Sequence, residues 1–121
     1  MKKILFIEDE SALQTTFGDV LGKEGYEVVS ALDGEEGLKL VRAIKPDLVL
    51  LDLILPKMDG FEVLKKIKED PEIKDIPVVI LTNLEESSDV QKAIELGAKN
   101  YLVKANYNLN EVAEKIKKAL E

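Results

Sequence analysis

Apolar runs of strand length alternate along the chain with segments of helical period, the pattern of repeated βα units and a parallel sheet. Five of each can be counted. The first run is Ile4 to Ile7, and the helix after it begins near Ser11 with Leu13, Phe17, Val20 and Leu21 on one face. Gly22 and Gly25 end that helix, and Glu27 to Ala31 form the second strand. Asp33 with Glu36 three residues on is an acidic capping box before Leu38, Val41 and Ile44, and Pro46 closes the second helix. The third strand, Leu48 to Leu53, is apolar without a break, so it is covered on both faces and central. Phe61, Val63, Leu64 and Ile67 mark a third helix, followed by a loop through Pro71 and Pro77 to a fourth strand, Val78 to Leu81. Ser88 or Asp89 caps a fourth helix holding Val90, Ala93 and Ile94, with Gly97 as its left-handed terminus. Asn100 to Val103 make the fifth strand, and Leu109, Val112, Ala113, Ile116 and Leu120 form the stripe of the last helix. The reading is one domain, residues 1–121, of α/β class.

Four of these strands run into polar side chains: Glu8 and Asp9 after the first, Asp52 on the third, Thr82 after the fourth and Lys104 after the fifth. Right-handed crossovers put every carboxyl end on one edge of the sheet, where open α/β folds bind ligands. Three carboxylates held together raise one another's pKa unless something neutralises them. A divalent cation would, and an oxygen-only ligand set favours Mg2+, which takes one or two carboxylates, waters and a substrate phosphate oxygen. Lys104 and Thr82 then add an ammonium and a hydroxyl where an incoming phosphoryl group gathers charge. An aspartate can attack phosphorus to give an acyl phosphate, so phosphoryl transfer is the chemistry that uses the whole set.

Composition narrows the alternatives. The chain has no cysteine and no histidine, which removes thiolate chemistry, disulfides and the usual proton shuttle. A net charge of −7 opposes nucleic-acid binding through phosphate neutralisation, and Lys115, Lys117 and Lys118 read as a solvated helix face. The four apolar residues after Met1-Lys2-Lys3 are too few for a signal peptide, so a cytoplasmic protein with no membrane contact is expected.

The order and spacing of these residues resemble the receiver domain of bacterial response regulators, of the chemotaxis-regulator type. Glu8-Asp9, Asp52 within Leu51-Asp52-Leu53-Ile54-Leu55-Pro56-Lys57-Met58-Asp59-Gly60, Thr82 and Lys104 carry the likeness. It implies a doubly wound, flavodoxin-like (βα)5 fold with strand order 2-1-3-4-5. It also implies a two-component role, in which a histidine kinase or histidine phosphotransfer protein phosphorylates Asp52 and a downstream target or effector domain responds. By the same resemblance Asp9, Asp52 and the backbone carbonyl of Ile54 bind Mg2+ and Glu8 acts through water. Thr82 and Lys104 contact the phosphoryl oxygens, Tyr101 is a rotamer-switching aromatic, and the output face is the fourth helix, fifth strand and fifth helix. Such a domain is not an enzyme on other substrates; it catalyses only its own phosphorylation and dephosphorylation.

The chain departs from that pattern after Lys104, where Ala105 stands in place of proline. A cis bond to a non-proline residue costs about 2.5–4 kcal/mol, so a trans Lys104–Ala105 bond and a rearranged loop through Asn106 and Tyr107 are expected. Asn83 narrows access to the site, and the apolar Ile54 and Leu84 hinder an attacking water, which predicts an acyl phosphate lasting minutes or more. Asp59 with Gly60 reads as a turn and helix cap rather than a ligand. Two rival readings are an aspartyl-nucleophile phosphatase, which would carry a second aspartate where Ile54 stands, and a receiver-like module that binds partners without phosphorylation. A flavin or nucleotide binder would need a glycine-rich loop where Glu10-Ser11-Ala12-Leu13 stands.

Overall fold

The computed structural model describes all residues, Met1–Glu121, and every residue of the strands Leu48–Leu51 and Val78–Thr82 is buried. The strands are β1 (Lys3–Ile7), β2 (Glu27–Ala31), β3 (Leu48–Leu51), β4 (Val78–Thr82) and β5 (Asn100–Val103). Between and after them come α1 (Ser11–Lys23), α2 (Gly34–Ile44), α3 (Gly60–Glu69), α4 (Ser87–Glu95) and α5 (Leu109–Leu120), with a short 3₁₀ turn at Lys104–Asn106. All pairings are parallel and the order is β2-β1-β3-β4-β5, the doubly wound arrangement expected, with β3 at the centre.

Side chains alternate across a strand, so each inner strand feeds two cores. Leu5, Ile7, Val49, Leu51, Val78 and Ile80 pack with Leu38 and Val41 of α2 and Val63, Leu64 and Ile67 of α3. Ile4, Phe6, Leu48, Leu50, Val79 and Leu81 pack on the opposite face with Phe17 and Leu21 of α1 and Val112 and Ile116 of α5. Phe6 and Phe17 meet edge to face at 5.2 Å between ring centroids.

Helix ends follow local chemistry. The Asp33, Asp59 and Asn108 side chains accept from the backbone N–H of Glu36, Glu62 and Glu111, capping α2, α3 and α5. Gly25 and Gly97 adopt φ of 92° and 108° just past α1 and α4, as left-handed termini require. Three expectations are corrected. β3 stops at Leu51 rather than Leu53, because the Asp52 carboxylate accepts from the Ile54 N–H and the Gly60 N–H bonds the Leu53 carbonyl, turning the chain away from the ladder. α1 runs through Gly22 to Lys23. The cap position of α4 is Glu86, with no side-chain bond, rather than Ser88 or Asp89; on this helix Ala93 is buried and Ile94 is 47% exposed.

Candidate functional site

Strand order decides which polar ends become neighbours. β1 and β3 are adjacent, and the Asp52 N–H donates to the Ile7 carbonyl at 3.0 Å, which sets Asp52 beside the turn that follows β1. The Glu8 N–H donates to the Ala31 carbonyl at 3.0 Å, fixing the start of that turn against β2. Carboxylate oxygens of Glu8, Asp9 and Asp52 all lie within 4.8 Å of one another. Gly60 makes room for this: a Cβ on it would stand 2.3 Å from the Asp52 carbonyl oxygen and 2.5 Å from the Leu53 Cα. Asp59 caps α3 and is not among the clustered carboxylates.

In the register of β4 and β5, Thr82 pairs with Val103, so Lys104 leaves the sheet directly beside Thr82. The Lys104–Ala105 bond is trans, and a 3₁₀ turn over Lys104–Asn106 follows β5. From there the Lys104 Nζ donates to Glu8 Oε1 at 2.7 Å and to Asp52 Oδ2 at 3.0 Å, joining residues 96 and 52 positions apart. The second Glu8 oxygen accepts from the Glu10 N–H and the second Asp52 oxygen from the Ile54 N–H. Thr82 is fully buried, and its hydroxyl is left without a hydrogen-bond partner. Buried hydroxyls are ordinarily paired, and an oxygen of a ligand at this rim would pair this one.

The electrostatics are strained in the direction that invites a cation. Burial pushes the Glu8 carboxyl up from its usual 4.5 to about 7; the Lys104 hydrogen bond pulls it down and the Asp52 charge pushes it up again. For Lys104, burial lowers the pKa, but the hydrogen bonds to Glu8 and Asp52 and their charges outweigh it, holding the ammonium above its usual 10.5. One ammonium faces three carboxylates. Octahedral Mg2+ sets opposite oxygens about 4.2 Å apart, so the cluster fits a hard cation with only small side-chain adjustments.

At the periphery, Asn83 is exposed, Leu84 half-buried and Ile54 52% exposed beside Asp52. The Tyr101 hydroxyl donates to the Leu84 carbonyl at 3.0 Å instead of ending in water, and burial, then the Asp89 and Asp52 charges, raise its pKa. The sequence pattern does not single out Gln14, yet its amide donates to the Glu8 carbonyl and two strand-end carbonyls. The signal was its position: it shares a helix face with Phe17 and Leu21 at offsets of three and seven, a polar residue in an apolar stripe.

The sequence matches the family model of the response regulator receiver domain over residues 4–117. It is 40% identical over 119 residues to the alkaline phosphatase synthesis transcriptional regulatory protein PhoP of Bacillus subtilis, covering 98% of this chain and 48% of PhoP. It is 37% identical over 119 residues to sporulation initiation phosphotransferase F of the same organism, covering 98% of this chain and 94% of that protein. Among solved structures, the Mn(2+)-bound form of response regulator Rcp1 aligns at a TM-score of 0.83 and 35% identity, covering 98% of this chain and 91% of that one. The chain spans about half the length of the transcriptional regulators it matches, 48% of PhoP and 45% of AfsQ1.

Proposed function

The chain belongs to the response regulator receiver family, a family of signalling modules, and from that premise we propose that Asp52 is its phosphoacceptor. A phosphohistidine on a histidine kinase or phosphotransfer protein is the donor. An Asp52 carboxylate oxygen bonds phosphorus as the P–N bond breaks, and the released imidazole takes up a proton. Asp9, Asp52 and the Ile54 carbonyl would hold Mg2+, with Glu8 acting through water, and the bound ion would supply positive charge to the phosphoryl oxygens. The Mn2+ in the Rcp1 structure supports a divalent ion on this scaffold.

The observation that carries the reading is the Lys104 ammonium between Glu8 and Asp52, next to the unpartnered Thr82 hydroxyl. Phosphorylation gives both groups a new oxygen to bond. Drawing Thr82 toward the phosphoryl group changes the space at the end of β4, and Tyr101, now tied to the Leu84 carbonyl, reports that change to α4, β5 and α5 as a population shift. The module catalyses only its own phosphorylation and dephosphorylation. Its output is a protein target or an attached effector, since the relatives include both regulators twice its length and a phosphotransferase of its own length. The cytoplasm is where such donors and targets meet, and no helix is long and apolar enough to cross a membrane.

A small phosphoramidate donor with Mg2+ tests the assignment. Wild type gains one phosphoryl mass and Asp52→Asn gains none; labelling that persists in Asp52→Asn refutes Asp52 as the acceptor.

A further inference from the structure

We infer that Gln14 is a positioning residue for the cation site, holding the end of β1 so that Glu8 and Asp9 face Asp52. The inference rests on the reading of that cluster as a Mg2+ site. Gln14 lies on the first turns of α1 and is buried. Its Nε2 donates to the carbonyls of Phe6 at 2.9 Å, Glu8 at 3.0 Å and Ala31 at 3.1 Å. An amide has two hydrogens, so three converging acceptors must share them. These carbonyls sit where β1 and β2 leave the sheet.

The oxygen that Gln14 holds belongs to the peptide joining Glu8 to Asp9. With the Glu8 N–H already fixed on Ala31, that bond sets the plane of the next peptide, and with it the direction in which Asp9 leaves the chain. Asp9 is exposed, so packing does not aim it; its backbone does. Glu8 is buried and already bonded to Lys104 and Glu10, so its side chain reports any movement of the same turn.

Packing alone does not account for the choice of residue. Gln14 falls on the buried stripe with Phe17 and Leu21, where an apolar side chain would fill the space. Glutamine instead leaves its Oε1 buried and without a partner, a standing penalty. What it provides in return is a three-way tie at the carbonyl ends of the strands that carry the site.

The test titrates Mg2+ alone by calorimetry into wild type, Gln14→Met and Ile67→Val, the last trimming the core under the far end of α3. Loss of an outer support weakens a metal site by about 10-fold to 100-fold, so Gln14→Met is expected to bind Mg2+ about 10-fold more weakly while Ile67→Val matches wild type. Equal affinity in Gln14→Met and wild type overturns the inference while leaving the cation site in place. A wild type that takes up no Mg2+ overturns the cation site and the inference together. Wild type alone supplies a second readout that needs no variant to fold: the side-chain amide protons of Gln14 should exchange slowly and shift at saturating Mg2+. Resonances that do not move on adding the ion overturn the role.

Discussion

A carboxyl group shut away from water releases its proton late, and Glu8, 1% exposed, holds its own until about pH 7 where the unfolded chain lets go near 4.5. Between those values the folded state binds more protons than the unfolded one, so stability falls as pH rises. The contribution is whole below 4.5 and lost by the time pH has passed 7. With a chelator present, urea denaturation of wild type should show this decline and Glu8→Gln should not; parallel profiles would remove Glu8 as its source. Ile54 acts on a different step. Half exposed and apolar beside the proposed acceptor, it offers an attacking water no hydrogen bond, so the acyl phosphate should last minutes or more. Ile54→Gln should shorten that lifetime by about tenfold, which corresponds to roughly 1.4 kcal/mol off the hydrolysis barrier. Intact-mass measurements over time decide this, and a wild-type decay within seconds refutes it.

Among the helices α4 is the least anchored, burying Ala93 alone and starting at Glu86 without a side-chain cap. A helix with few buried contacts opens first. Its amides should exchange fastest of the helical ones, and Glu86→Ser should slow them by adding about 0.5–1 kcal/mol at the cap; unchanged exchange in the variant would show that the end is already satisfied. The same helix marks where the sequence stopped being legible. Leu38 and Val41, Leu64 and Ile67, Val112 and Ile116 announced their helices because each face had to repeat at the helical period to meet the sheet. Ser88 and Asp89 are both good caps by residue type, but which residue caps depends on the path of the preceding loop. That path is settled across the fold, where Tyr101 bonds the Leu84 carbonyl. The apolar pattern carries β3 two residues too far for a related reason: Leu53 is buried and apolar like a strand residue, yet its carbonyl bonds Gly60 rather than a neighbouring strand. The rim of Glu8, Asp9, Asp52, Thr82 and Lys104 was legible because parallel strands share one carboxyl edge. The ammonium placed between Glu8 and Asp52, and the three-way bond of Gln14, are tertiary facts that no spacing encodes.

On the scale of the whole molecule, the two cores hold five strand ends in register, and the net charge of −7 includes three carboxylates gathered at that one edge. Only the folded chain brings them together, so an ion that binds there must stabilise folding by mass action. At a concentration of 100 times the dissociation constant the gain is about 2.7 kcal/mol, which for a domain of this size raises the melting temperature by roughly 10 °C. General screening of an acidic protein would also raise it, so the comparison is Mg2+ against Na+ at equal ionic strength. The Mg2+-specific increment should disappear in Asp9→Asn and Asp52→Asn, each of which removes a carboxylate from the cluster. It should grow in Lys104→Met, which starts less stable because Glu8 and Asp52 have lost their one cationic partner and need the ion more. If Asp9→Asn and Asp52→Asn keep the full increment, the stabilising ion sits elsewhere on the surface and the rim is not its site.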